Sequence, residues 1–417
     1  MRLTSIRHQS PCRLYNFPSI SNNYRRPDDH PMRRVYLDNN ATTSLDPQVL
    51  ESMMPYLEHS YGNPSSLHWL GDEAAAAMTG SRGQLASVLG CYPSEIFFTS
   101  GGTEADNIAV LGAARASGRR GRIITSAIEH SAVLDACHAL KDEGHDLTVL
   151  PVDREGIVDP ADLEQAMDED VILVSVMAAN NVIGTLQPLR ELIDIAHEHG
   201  ALFHTDAVQG FCRMPLDMRE LKADMLSVSA HKIHGPKGVG ALFVREGTPV
   251  SPITFGGGQE GGLRPSTENV AGVVGLGRAA SLAHSGMDVR NGEMKRLRDM
   301  VIDEVCGIEG VHLNGHRSHR LANNVHLRID GVNGTELVLG LSDRGIAAST
   351  ASACSASSPS PSHVLTALGL SWDQASSSLR LGLSHHTSED DVRYLLEVLP
   401  QAVRELRDAK RFNPTSA

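Results

Sequence analysis

The sequence predicts an α/β fold: a mostly parallel, doubly wound sheet with helices on both faces, followed by a smaller α/β C-terminal domain. Three observations point there. Short strand-like runs alternate with helical stretches from residue 95 to 244, the rhythm that right-handed βαβ crossovers produce. The Gly-rich stretch from Gly256 to Gly262 breaks that rhythm, and a new series of elements starts at Val270. Hydrophobic residues are 41 % of the 417, enough to bury a large core in more than one domain.

The elements run in order from the N-terminus. Residues 1–34 hold seven arginines against only Asp28 and Asp29, with apolar residues scattered among Pro, Ser and Asn. They form no continuous apolar run of the kind a secretory signal needs, and residues 1–31 read as a disordered or non-native extension ahead of Met32 and the strand-like VYLDNN. Asp46-Pro47, a cap and a first-turn proline, opens a helix with apolar residues at Val49, Leu50, Met53, Met54 and Leu57. A second helix is expected from Asp72 to Leu89, stopped by Gly90, before a buried strand from Glu95 to Thr99. Further strands are expected over Arg122–Thr125, Leu147–Val152, Val171–Val176, Ala201–Thr205, Met225–Ser229 and Gly240–Val244. Helices fall between them near 104–116, 131–143, 160–167 and 189–199. A helix from Val270 leads to a strand near 323–329, and 345–362, nearly all small residues, reads as a flexible loop.

Composition excludes some functions. With 37 Lys and Arg against 50 Asp and Glu the net charge is −13, so there is no basic field for nucleic acid. The uncharged run from Val171 to Leu189 carries Asn180, Asn181, Gln187 and Pro188, which suits a buried strand and polar loop better than a membrane span. The 6 cysteines make no CxxC or metal-spaced cluster, and a reducing, cytoplasmic setting is expected.

Ligands of a doubly wound sheet sit beyond the carboxyl ends of its strands, and reactive residue types collect there. TSGGTEAD, with Gly102 and Thr103, joins a strand to a helix start and suits a phosphate, although an ordinary βα turn gives the same run. Asp206 ends a strand, where a carboxylate needs a cationic partner, or caps the AVQG segment after it. Lys232, after Ser229 and His231 and under the turn GPKGVG, is a desolvated strand-end amine or a solvated turn lysine. His130 comes just after another strand and could stack on a flat ring, or be structural. Asn181 and Gln209 lie at the same sheet end. Together these are what pyridoxal 5'-phosphate requires: a phosphate anchor, a Schiff-base lysine and an acid for the pyridinium nitrogen.

YLDNNATT, YGNPSSLH, FTSGGTEADN, HTDAVQ, SAHKIHGPKGVG, GGGQE, SACS and SLRLGLS occur in that order from about residue 35 to 385. This succession resembles the cysteine desulfurases, fold-type I pyridoxal phosphate enzymes of the class V aminotransferase superfamily. The resemblance implies that Lys232 carries the cofactor, Asp206 pairs with its ring nitrogen, and His130 stacks on the ring as acid and base. It implies that Gln209 and Asn181 bond the phenolic oxygen and the substrate side, and that Gly102, Thr103, Ser229 and His231 hold the phosphate with Thr267 from the other subunit of a homodimer. Arg380 would clamp the L-cysteine carboxylate, and Cys354 would take the sulfur as a persulfide for an acceptor such as an iron–sulfur scaffold. The implied domains are an arm at 32–46 joining the small domain, a large cofactor-binding domain at 47–286, and a small domain at 287–417 with the cysteine loop. Two departures from the family pattern stand out: Val182 where an acid usually stands after the paired asparagines, and Arg264-Pro265-Ser266-Thr267 in place of RSGT. A selenocysteine lyase and a non-catalytic homologue are the competing readings.

Overall fold

In the computed structural model all seven strands expected between residues 95 and 244 form and join in one sheet. After β1 (Val35–Tyr36) they are β2 (Ile96–Thr99), β3 (Arg122–Ser126), β4 (Asp146–Leu150), β5 (Val171–Ser175), β6 (Leu202–Asp206), β7 (Met225–Ser229) and β8 (Gly240–Val244), in the order β2-β8-β7-β6-β5-β3-β4. Strands β4, β3, β5, β6 and β7 run parallel, while β8 is antiparallel to both its neighbours. The structure describes residues 33–350 and 362–412, with only the backbone of residues 411 and 412. The extension at 1–31 and Cys354 lie outside the described residues.

Both faces of the sheet are covered because both faces of its strands are apolar. One face meets helices Gly102–Ala116 and Ser131–Asp142 through Ile108, Val133 and Leu140 against Leu173, Met225 and Leu242. The other meets Trp69–Leu89, Leu189–Glu198 and Val270–Ser285 through Leu85, Leu192 and Leu276 against Val174, Phe203 and Phe243.

A separate apolar core lies towards the C-terminus. There β9 (Val311–Leu313), β10 (Asn324–Ile329) and β12 (Ser378–Gly382) make an antiparallel sheet in the order β12-β10-β9. Helices Met287–Val305 and Glu389–Phe412 pack on it, the latter through Val392, Leu395, Leu399 and Val403 at helical spacing. Val35 and Leu37 belong to this core, so the arm before the first helix is anchored beside elements far away in sequence.

Several elements end a residue away from expectation, and three differences have an identifiable cause. The second helix starts at Trp69 rather than Asp72, because the His68 side chain accepts the Gly71 N–H and caps it there. Strand β4 stops at Leu150, since Pro151 has no N–H for the ladder. The expected flexible loop at 345–362 is corrected at its start: β11 (Ile346–Ala347) pairs in parallel with β1, and Ser349 exchanges backbone hydrogen bonds of 3.2 and 2.7 Å with Arg380. Ile346 is fully buried, and that anchor outweighs the small-residue composition.

Candidate active site

The carboxyl ends of β6 and β7 and the N-terminus of helix Gly102–Ala116 converge. A Cβ built on Gly102 would lie 2.7 Å from Val208 Cγ2 and 3.8 Å from the Ser229 Cβ, so the first turn of this helix sits directly over both strand ends. The closeness brings the helix-start N–H groups up to the end of β7 at Ser229. Gly240 permits it from below: a Cβ there would lie 2.8 Å from Gly101 backbone atoms.

Asp206, at the last position of β6, is 6 % exposed, and its Oδ1 accepts the Val208 N–H at 2.8 Å. Burial pushes its pKa up, while the charges of His130 and Lys232 pull it down. Of the two sequence readings, the structure shows the local cap, the Val208 N–H bond. Behind it lie further buried acids. Asp106 is driven well above the usual carboxylate range by burial and by Asp206. Glu129, fully buried, is pushed by burial up to about 8 although Ser126 Oγ–H and the Met177 N–H donate to it. His204 is held neutral by burial, with a pKa lowered to about 3, between the Ser175 and Ser227 hydroxyls. Its Nε2 approaches Asp106 Oδ1 to 3.7 Å, beyond hydrogen-bonding distance.

Lys232 lies in a 3-10 turn between β7 and β8, and its Nζ donates to the Asn40 and Ala41 carbonyls, 2.7 Å each. His231 Nδ1 is 3.1 Å from Thr42 Oγ1, and burial, then Lys232, lowers its pKa to about 4. Gln209 Nε2 donates to the Asn40 carbonyl, and its Oε1 accepts from Arg213 at 3.1 Å. His130 caps helix Ser131–Asp142: its Nδ1 accepts the Ala132 N–H at 3.2 Å, which assigns the ring proton of the neutral form to Nε2.

Arg380, on β12, is 3 % exposed; it donates to Asp38 Oδ1 at 3.0 Å and to the Asn181 carbonyl at 3.2 Å. Its Nε has no partner among the described residues, so a donor remains for a carboxylate. Of the paired asparagines, Asn180 is structural: it donates to Ile128 O and accepts from the Val182 and Ile183 N–H groups. Val182 packs with Ile128, Met177 and Ile183 in an apolar cluster.

Thr267 is exposed, while Arg264 in the same segment reaches back to Glu104 at 3.1 Å, in the first turn of helix Gly102–Ala116. The sequence did not reveal Asp38, Asn40 and Ala41 as parts of the site. Two of them act through backbone carbonyls, which carry no residue-type signal; only their presence in the YLDNNATT run pointed towards them.

The residues present fit a phosphorylated pyridine aldehyde. The buried Asp206 carboxyl lies in the field of His130 and Lys232, the Lys232 amine rests on backbone carbonyls, and a helix N-terminus lies over the strand end at Ser229. Burial raises the thiols of Cys91, Cys137 and Cys212 to about 12 and also raises that of Cys306, which disfavours the nucleophilic thiolate in each.

The family model described as aminotransferase class V matches residues 35–395. The chain is 48 % identical over 377 residues to cysteine desulfurase IscS of Dictyoglomus turgidum, covering 90 % of this chain and 96 % of that one. It is 46 % identical to cysteine desulfurase IscS of Methanosarcina thermophila, covering 92 % and 95 %. A solved structure titled NIFS-like protein superposes with a TM-score of 0.83 at 38 % identity, covering 91 % of this chain and all of the other.

Proposed function

The chain belongs to the class V aminotransferase family and within it to the cysteine desulfurases, and from that premise we propose how its own residues carry out the reaction. It is a pyridoxal phosphate enzyme acting on L-cysteine. Lys232 would carry the aldehyde carbon, Asp206 would hold a proton on the pyridine nitrogen, and Gly102, Thr103, Ser229 and His231 would hold the phosphate. When bound, the cofactor supplies an electron sink that stabilises negative charge at the substrate Cα. Asn181 and Gln209 would orient the ring oxygen and the substrate, and His130 would move a proton through Nε2. Arg380, steadied by Asp38, would bind the substrate carboxylate.

The observation that carries this reading is the convergence of His130 and Lys232 on the buried Asp206 beneath the start of helix Gly102–Ala116. Cys354 would act as sulfur acceptor: L-cysteine and the Cys354 thiol give L-alanine and the Cys354 persulfide, which balances without an outside oxidant. The four described cysteines with raised thiol pKa values support that choice. Homodimer formation, with Thr267 completing the partner's phosphate site, and onward transfer to an iron–sulfur scaffold belong to the same proposal. So do the cytoplasmic setting and the division into domains at 47–286 and 287–417, for which the two separate cores are the support. Among the described residues no helix is long and apolar enough to cross a membrane.

The test is turnover of L-cysteine with a reductant, with sulfide and alanine measured together. Wild type should give both in equal amounts, and Cys354→Ala should retain its cofactor absorbance yet lose at least a hundredfold in both products. Undiminished turnover in Cys354→Ala, or a persulfide mapped to another cysteine, would overturn the role of Cys354 and favour a lyase that needs no protein thiol.

A further inference from the structure

Two residues beyond Lys232 the chain places His234 against the consecutive pair His385-His386, which comes after β12. The ring centroids of His234 and His385 are 4.5 Å apart, those of His234 and His386 5.0 Å, and those of His385 and His386 4.0 Å. One ring nitrogen from each lies within 4.8 Å of the other two. None of these rings enters the desulfurase chemistry described above.

We propose that His234, His385 and His386 form a binding site for a divalent transition cation of the zinc class, joining the turn that carries Lys232 to the segment that leaves β12. Three imidazoles are ligands of borderline softness, which favours zinc-class ions over calcium or magnesium. A tetrahedral centre with Zn–N bonds near 2.1 Å needs donor atoms about 3.4 Å apart, so modest side-chain rotation from the observed spacing is enough. His386 is exposed and His385 partly so, which leaves them room to turn and gives a cation a way in.

The outer shell is also in place. The Nδ1 of His234 lies 3.0 Å from the Ser44 carbonyl and donates to it, which fixes the proton on Nδ1 and turns the Nε2 lone pair outward. Burial, then the neighbouring histidines, lower His234 to about 3; burial, then His386, lower His385 to about 4. A neutral imidazole offers one ring-nitrogen lone pair to a metal, and the three rings bring such nitrogens within 4.8 Å of one another. Asp46 lines with His234, His385, Arg213 and Arg290 a cavity of about 50 Å³, and its charge offsets part of the Arg290 charge felt by His385. Three protein ligands leave a fourth position for water.

The site rests on His234 and the His385-His386 pair alone, so its failure would leave the assignment of Lys232 and Asp206 untouched. The full-length holoenzyme should be titrated with Zn²⁺ against a chromophoric chelator, alongside a His385→Ala/His386→Ala variant. Wild type should bind one more tight equivalent per chain than the double variant, and His386→Ala alone should bind that equivalent at least tenfold more weakly. Equal stoichiometry and affinity in wild type and the double variant would overturn the proposal. Should the double variant fail to fold, X-ray absorption on wild type loaded with one equivalent decides instead. A shell of imidazole nitrogens near 2.0 Å supports the site, and a shell dominated by sulfur near 2.3 Å, or no tight equivalent at all, rejects it.

Discussion

Ser266 has a φ of +120° on an exposed segment, a backbone conformation that glycine adopts at little cost and an L side chain does not. It stands where the RSGT pattern of the family has its glycine, and here a serine bears the strain of that conformation. Ser266→Gly should therefore raise stability by about 1 kcal/mol, read as a higher melting temperature of the holoenzyme; an unchanged or lower value would show that the side chain makes compensating contacts. Similar detail separates the two asparagines after β5. Asn180 spends its side chain on the turn, while Asn181 presents its carbonyl to Arg380, which Asp38 also holds. Sequence identified Arg380 and Asn181, but their meeting depends on the arm at Asp38 crossing β12, which no local pattern of residues encodes.

At the level of elements, the sheet was legible because its strands are buried on both faces and read as short apolar runs such as IFFT, VILVS and MLSVS. Where a boundary depended on an unusual partner, as with the His68 cap, or on a remote strand, as with β1 pairing to β11, the sequence misled. The functional contact between elements is the approach of Gly102 to Val208, which the Gly-Gly run suggested without showing what stood opposite. In Gly102→Ala the new methyl group would meet Val208 Cγ2 at 2.7 Å and lift the helix start from Ser229. Cofactor affinity should drop at least tenfold, measured by equilibrium dialysis of the apoenzyme with pyridoxal phosphate. Gly80→Ala provides the contrast. Its Cβ meets nothing within 4 Å in the helix Trp69–Leu89, so the helix should gain about 0.5–1 kcal/mol and cofactor affinity should stay unchanged. Equal cofactor affinity in both variants would contradict a phosphate cup built on the close approach of Gly102.

Across the whole molecule, the buried ionisable groups set how stability varies with pH. Glu129 has a folded-state pKa raised to about 8 from 4.5, so between those values the folded chain holds a proton that the unfolded chain has lost. Its contribution is fully present below pH 4.5 and is lost as pH rises through 8, at up to about 1.4 kcal/mol per pH unit. His204 and His326, both lowered to about 3 by burial, act in the opposite sense: their contribution is present above pH 6.5 and is lost as pH falls towards 3. Glu129→Gln cannot ionise, so its melting temperature relative to wild type should rise steadily from pH 5 to pH 8; a constant difference would mean that Glu129 is ionised throughout. Glu129 follows β3 and His204 lies on β6, in the sheet whose β7 leads to Lys232, the residue on which the whole assignment of the site turns, whereas His326 lies on β10 of the C-terminal sheet. The holoenzyme should be reduced with borohydride, digested and its peptides mapped. One pyridoxyl label per chain is expected, on Lys232, with the cofactor's visible absorbance lost in step with labelling, ~1 equivalent per chain. A label on any other lysine, or none at all, would contradict the assignment.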